Sequence, residues 1–214
     1  MSSFPKEGIV AVYKPVGMTS HDVVGIVRRA TGERRVGHAG TLDPLAKGVL
    51  VIGIGRAFTR QLSEIVAHEK EYVASVRLGM TSSTGDEEGE KAAHDIPAVP
   101  SRDDVLVAVS GFVGEIMQVP PVYSALKIGG KPAYAHARAG HPPIMEARPI
   151  LIKEIEIVSY AWPDLSLRIV TGPGAYIRSL ARDIGEALHV GGYLAGLERT
   201  RVGSYRAGSA IRID

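Results

Sequence analysis

His38 and Asp43 stand five positions apart in the stretch Gly37-His38-Ala39-Gly40-Thr41-Leu42-Asp43-Pro44-Leu45-Ala46-Lys47-Gly48. Three glycines and a proline make this stretch a loop, because glycine reaches backbone angles that other residues avoid and proline fixes its own. An ionisable acid between Leu42, Pro44 and Leu45 is an unusual choice for a structural turn. Ionised and held on a rigid support, such a carboxylate can attack an electrophilic carbon or remove a proton. On loop composition alone, the favoured reading of Asp43 is a turn residue capping local N–H groups. Further candidate groups are the strand tyrosine Tyr72, Tyr176 before a helix, and Arg178 and Arg182, four apart on one face of that helix.

Several other chemistries are set aside by what the sequence lacks. No Gly-x-x-x-x-Gly-Lys-[Ser/Thr] loop, Gly-x-Gly-x-x-Gly turn, Gly-x-Ser-x-Gly elbow or His-Glu-x-x-His pair is present. That argues against a P-loop nucleotidase, a dinucleotide enzyme, a serine hydrolase and a zinc protease. The histidines His21, His38, His68, His94, His136, His141 and His189 show no ligand spacing, and there is no cysteine. A metal enzyme is therefore disfavoured.

The elements that must position these groups follow from periodicity and punctuation. Residues 8–13 form an apolar run stopped by Lys14-Pro15, a strand and then a turn through Gly17. Thr19 or Ser20 caps a helix with Asp22 near its positive end, Val23, Ile26, Val27 and Ala30 as its apolar stripe, and Gly32 as its stop. Residues 49–54 are apolar on both faces, the pattern of a buried central strand, so Asp43 sits just before a rigid support. Residues 58–66 read as a helix and 69–78 as a half-buried strand. Residues 81–100 read as an acidic surface loop. Ser101-Arg102-Asp103-Asp104 resembles a capping box, 111–119 a strand, and Gly129-Gly130 a hairpin turn. A short helix over 133–139 precedes strands at 150–158 and 165–170. The turn Thr171-Gly172-Pro173-Gly174 then feeds a helix with Ile177, Leu180, Ile184 and Leu188 inside. Two closing strands are expected at 193–197 and 201–205. Arg178 on its helix reads as a surface arginine pairing with Asp183 or Glu186, and Leu197 as core.

At 214 residues and 45% hydrophobic, the chain can bury a sizeable core. The economical organisation is one mixed α/β domain over 1–214. No signal-peptide core or bilayer-length apolar run is visible, so a cytoplasmic protein without membrane contact is expected. A net charge of +2 says little, but its distribution says more. Arg28, Arg29, Arg34, Arg35, Lys47, Arg56 and Arg60 crowd the neighbourhood of the Asp43 loop. Residues 120–148 form a second basic excursion, with Lys127, Lys131, His136, Arg138, His141 and Arg148 against Glu146. Either can be a phosphate-binding surface or an ordinary solvated face.

Six blocks together resemble one family. The stretch from Gly37 to Leu50 is similar to the catalytic motif of the TruB-type tRNA pseudouridine synthases. Lys14-Pro15-Val16-Gly17-Met18-Thr19-Ser20 resembles their N-terminal motif. Lys70-Glu71-Tyr72, Pro120-Pro121-Val122-Tyr123-Ser124-Ala125-Leu126-Lys127, Gly174-Ala175-Tyr176-Ile177-Arg178-Ser179-Leu180 and Leu197-Glu198-Arg199-Thr200-Arg201-Val202-Gly203 are similar to further blocks, in family order. The resemblance implies a pseudouridine synthase fold: a large, mostly antiparallel central sheet flanked by helices and loops, with an active-site cleft across it.

It also implies isomerisation of uridine 55 in the T-loop of tRNA, after the base has been flipped out of its stack. Asp43 takes the role of the catalytic carboxylate, Arg178 its partner, and Tyr72 lies against the base. His38 helps fill the place of the extruded base, Tyr176 and Leu197 line the pocket, and Lys14 supports the loop or the RNA backbone. The insertion over about 120–148 grips RNA. The expected partner is the tRNA T-stem-loop, bound by a monomer. The chain departs from many members in stopping at Asp214, which reads as a short form without the C-terminal RNA-binding (PUA) domain. Thr171-Gly172-Pro173-Gly174 also departs from the usual small polar residue before Gly174. A non-catalytic RNA-binding or chaperone protein, and a synthase of another RNA, are the alternative readings.

Overall fold

The computed structural model describes residues 4–213. Its elements run β1 (Gly8–Lys14), α1 (Ser20–Thr31), β2 (Val36–Ala39), β3 (Ala46–Ile54), α2 (Arg56–Val66) and β4 (Lys70–Leu78). There follow β5 (Met80–Ser82), β6 (Lys91–Ala93), α3 (Arg102–Ser110), β7 (Gly114–Gln118), β8 (Lys127–Ile128), β9 (Lys131–Pro132) and α4 (Ala133–Arg138). Next are β10 (Arg148–Ala161), β11 (Asp164–Thr171), α5 (Ile177–Ala187), β12 (Gly192–Val202), β13 (Tyr205–Arg206) and β14 (Ile211–Arg212). The chain divides into two compact units, Met1–Val73 with Leu197–Asp214, and Ala74–Gly196. The boundaries fall within β4 and β12.

The first unit is built on β3. Strand β1 pairs antiparallel along its whole length, from Gly8 opposite Ile54 to Lys14 opposite Gly48. The other edge is shared. Strand β2 takes the half from Val51 to Ile54, and β12 takes the half from Ala46 to Gly48 in parallel register. With both edges paired, β3 needs an apolar side chain on both faces. On one face Leu50, Ile52 and Ile54 pack with Val23, Val24 and Val27 of α1. On the other, Val49 and Val51 pack with Leu62 and Ile65 of α2. The sequence expectation of a buried central strand holds, since residues 49–52 and 54 are all wholly buried. The buried stripe of α1 is Val23, Val24 and Val27. Ile26 is only half-buried and Ala30 is exposed, so the stripe expected from spacing is shifted by one residue. Thr19 makes the capping box with Asp22, and Gly32 ends the helix at φ 74°.

In the second unit the strand order is β4, β11, β10, β7. Strands β10 and β11 form a long antiparallel ladder interrupted by two register shifts, and β7 pairs antiparallel with β10. Leu165, Leu167 and Ile169 of β11, and Ile177, Leu180 and Ile184 of α5, are buried. Three expectations are corrected here. The supposed surface loop 81–100 contains the hairpin β5–β6 and a buried Asp86. The expected closing strand at 201–205 is the end of one long strand, β12, because nothing in 198–200 breaks the extended run, and Tyr205 begins a new one. The expected strand over 111–119 begins only at Gly114, after turns that close α3.

Candidate active site

The catalytic-motif stretch is less of a loop than its composition suggests. Gly37, His38 and Ala39 lie in β2, and Ala46, Lys47 and Gly48 lie in β3. Only residues 40–45 leave the ladder, after Gly40 turns at φ 86°. They leave where β3 changes partner from β2 to β12. The change of partner opens a gap in the edge, and Asp43 sits in the segment that spans it.

This segment is held by its backbone. The Gly40 carbonyl accepts from Arg199 Nη2 at 3.1 Å and the Thr41 carbonyl from Arg199 Nη1 at 3.4 Å. The Leu42 carbonyl accepts from Ser20 Oγ at 3.0 Å, and the Leu42 N–H donates back to the same oxygen at 2.8 Å. The Asp43 carbonyl accepts from the Ala46 N–H at 3.0 Å, and the Pro44 carbonyl from the Gly17 N–H at 2.8 Å and Lys14 Nζ at 3.4 Å. Five consecutive carbonyls, 40 to 44, are therefore occupied. The Asp43 side chain, half-buried, stands on a backbone with little freedom to move.

The donors are costly groups to bury. Lys14 is wholly buried, and its ammonium is met by the carbonyls of Pro15, Met18 and Pro44. Burial pulls its pKa down to about 8, and the charge of Asp43 opposes that fall. Arg199 is also buried. Burial lowers its pKa, and Tyr72 and Asp43 oppose that shift. Lys70 caps the end of α2 by donating to the Val66 and His68 carbonyls at 2.8 Å each, and burial lowers it to about 8 as well. Asp43 thus faces a buried cationic surround. Tyr72 of β4, 6% exposed, interacts with the Arg199 guanidinium through its charge and a side-chain hydrogen bond. Leu197 lies opposite Ala46, at the start of the β12 pairing. His38 lies opposite Ile52 with its Nδ1 buried and without a hydrogen-bond partner among the described residues. Burial and the charges of Arg199 and His21 lower its pKa, so the ring is neutral near pH 7. The first unit therefore assembles Asp43, Lys14, Tyr72, Leu197 and His38.

Tyr176 and Arg178 belong to the second unit. The Tyr176 backbone is clamped by buried Gln118, whose amide accepts from the Tyr176 N–H at 2.8 Å and donates to its carbonyl at 3.2 Å. Arg178 is not a surface arginine. It donates to the Thr84 carbonyl at 3.2 Å and the Tyr123 carbonyl at 2.7 Å, and pairs with Asp86 at 3.5 Å with both side chains 6% exposed. The within-helix partners Asp183 and Glu186 go to Arg182 instead. Arg178, Arg182, Tyr123 and residues 81–85 line a cavity of about 400 Å³.

Arg199, Ser20, Asp86 and Gln118 hold candidate site residues in place, and sequence reasoning assigned none of them a site role. Ser20 was visible as a helix cap and as the end of the Lys14–Ser20 block, Arg199 as a member of the Leu197–Gly203 block, and Asp86 only as one of an acidic run. Among the described residues no cluster of three or more metal-ligating side chains occurs, and no helix is long and apolar enough to cross a membrane.

Residues 28–177 match the model of the TruB family pseudouridylate synthase N-terminal domain. The chain belongs to this family. The tRNA pseudouridine synthase B of Corynebacterium glutamicum is 46% identical over 98% of this chain and 72% of its own length. That of Mycobacterium tuberculosis is 47% identical over 97% of this chain and 70% of its own. A chain in the crystal structure of a Cbf5–Nop10–Gar1 complex superposes with a TM-score of 0.75 at 31% identity, covering 97% of this chain and 53% of that one. A chain of an archaeal box H/ACA sRNP Nop10–Cbf5 complex gives 0.70 at 30% identity, over 97% and 51%. The chain thus spans about half the length of those two solved relatives. By family it is an RNA pseudouridine synthase, with the mixed α/β fold that the sequence blocks imply.

Proposed function

We propose that this chain converts uridine 55 in the T-loop of tRNA to pseudouridine, with Asp43 as the catalytic carboxylate. The observation that carries the reading is the fixed backbone of residues 40–44, which offers one half-buried acid among buried cations. The reaction breaks the N1–C1′ bond, turns the base, and joins C5 to C1′. C5 loses a proton and N1 gains one. There is neither oxidation nor a group donor, so the reading needs no cofactor. An ionised carboxylate held in one place can attack C1′ or take the C2′ proton.

The family resemblance gives Arg178 the role of arginine partner to the catalytic carboxylate; within its own unit it is held by Asp86 and the Thr84 and Tyr123 carbonyls. Tyr72 lies against the base, and Tyr176 and Leu197 bound its pocket. A neutral His38 suits a residue that fills the gap left by an extruded base, since a charged ring would be costly among stacked bases. Lys14 acts through the Pro44 carbonyl, as a support of the loop. The basic insertion over about 120–148 grips the T-stem-loop through phosphates and shape, and the protein works as a cytoplasmic monomer. Incubation with an unmodified tRNA transcript, followed by chemical labelling of pseudouridine and primer extension, tests this. A stop at position 55 is expected. Conversion elsewhere and none at 55 would overturn the substrate assignment.

A further inference from the structure

Two of the five carbonyls that fix the Asp43 segment are held by a side chain from the far end of the sequence. Arg199 of β12 donates Nε to the Val49 carbonyl at 2.7 Å, which sets the plane of the guanidinium against β3. Its two remaining nitrogens then reach the carbonyls of Gly40 and Thr41, three and two residues before Asp43. We infer that Arg199 is the positioning residue of the catalytic loop, fixing residues 40 and 41, and through them the direction of the Asp43 carboxylate, by this three-way fork. The inference rests on the reading of Asp43 given above.

The surroundings are built to seat this side chain. Arg199 is 1% exposed, and a buried guanidinium is tolerated only when its N–H groups are met. The backbone approach that brings it in depends on Gly48, where a Cβ would stand 2.3 Å from the Arg199 carbonyl oxygen. A planar fork with fixed angles suits three carbonyls in two different segments. A lysine ammonium is a single point that cannot span them. The same guanidinium faces Asp43 and Tyr72, the carboxylate and the base-facing tyrosine of the reaction. Lys14 and Ser20 hold residues 42 and 44 independently. Loss of the Arg199 fork should therefore free the front of the segment without unfolding the unit.

The test uses R199K, which keeps the charge and most of the chain volume, and R199M, which removes the charge. Amide exchange of residues 40–43 and 45 is measured without RNA. Single-turnover conversion at saturating tRNA, Kd for tRNA and Tm are measured in parallel. R199K is expected to stay folded, to exchange these amides at least about tenfold faster, and to convert uridine about 100-fold more slowly. Its Kd is expected to stay within about threefold of the parent value. R199M is expected to be slower still. Unchanged exchange in R199K overturns the assignment, as does a conversion rate equal to the parent's or a loss that appears only in Kd. Exchange is measured without substrate, so its outcome does not depend on whether the parent chain modifies tRNA.

Discussion

Replacing Gly48 by alanine tests the strand arrangement on which the Asp43 segment depends. Gly48 holds φ +109°, and a Cβ there would stand 2.3 Å from the Arg199 carbonyl oxygen and 2.8 Å from its nitrogen. Both contacts are to backbone, so no side chain can swing away. The dihedral alone costs about 1–3 kcal/mol for a non-glycine residue. Forcing β3 and β12 apart adds about 1–3 kcal/mol, as for overpacking in a core. The sum is about 2–6 kcal/mol, and at about 2–4 °C per kcal/mol for a domain of this size Tm falls by about 4–24 °C.

Gly32→Ala is the matched control. It too has positive φ, +74°, but nothing lies within 4 Å of its Cβ position, so only the dihedral cost of about 1–2 kcal/mol applies. Thermal and urea unfolding of both variants give the comparison. If Gly48→Ala were no worse than Gly32→Ala, the close approach of β12 to β3 would not exist as described, and the seating of Arg199 would go with it.

Two further outcomes follow from the same segment. Ser20→Ala removes the hydroxyl that both donates to and accepts from Leu42, and should cost about 1–3 kcal/mol by leaving buried backbone groups unmet. Urea denaturation checks this, and a change under about 0.5 kcal/mol would show that the loop does not rely on it. Lys14 and Lys70 are each drawn from 10.5 to about 8 in the fold. Between these values the unfolded chain binds more protons than the folded one, so stability rises with pH there by about 1.4 kcal/mol per unit for each lysine. Unfolding at about pH 9 should take up close to two protons, measured by calorimetry in buffers of different ionisation enthalpy. Lys14→Met should roughly halve that uptake. Stability falling from about pH 8 to 9 would contradict the burial of these ammonium groups.

The sequence made much of this legible where local chemistry decides. The both-faces apolar run of β3, the capping boxes at Thr19 and Ser101, and the Gly32 stop each depend on a few neighbouring residues, and all are found. The order of blocks identified the family. What stayed hidden depends on partners distant in the chain. Arg199 lies 158 residues from Thr41, and nothing in its own alternating strand marks it as buried. Asp86 looked like one more acid of the acidic 81–100 loop because its partner, Arg178, comes from α5. The glycines of the motif suggested one long loop, whereas Gly37 and Gly48 serve strand packing. Gly37 sits against Leu62 and Gly48 against Arg199. Composition reports that a residue is small, and only the fold says what stands beside it.

The claim at the centre of this account is that Asp43 performs the chemistry and not merely the folding of its segment. Its carbonyl, not its carboxylate, makes the local hydrogen bond to Ala46. Asp43→Asn preserves that bond and the side-chain size. The direct measurement is tritium release from tRNA labelled at C5 of uridine, with tRNA binding measured on the same preparation. The account predicts that Asp43→Asn binds tRNA with near-parental Kd and releases no tritium above background. Substantial release by a folded Asp43→Asn protein would contradict it.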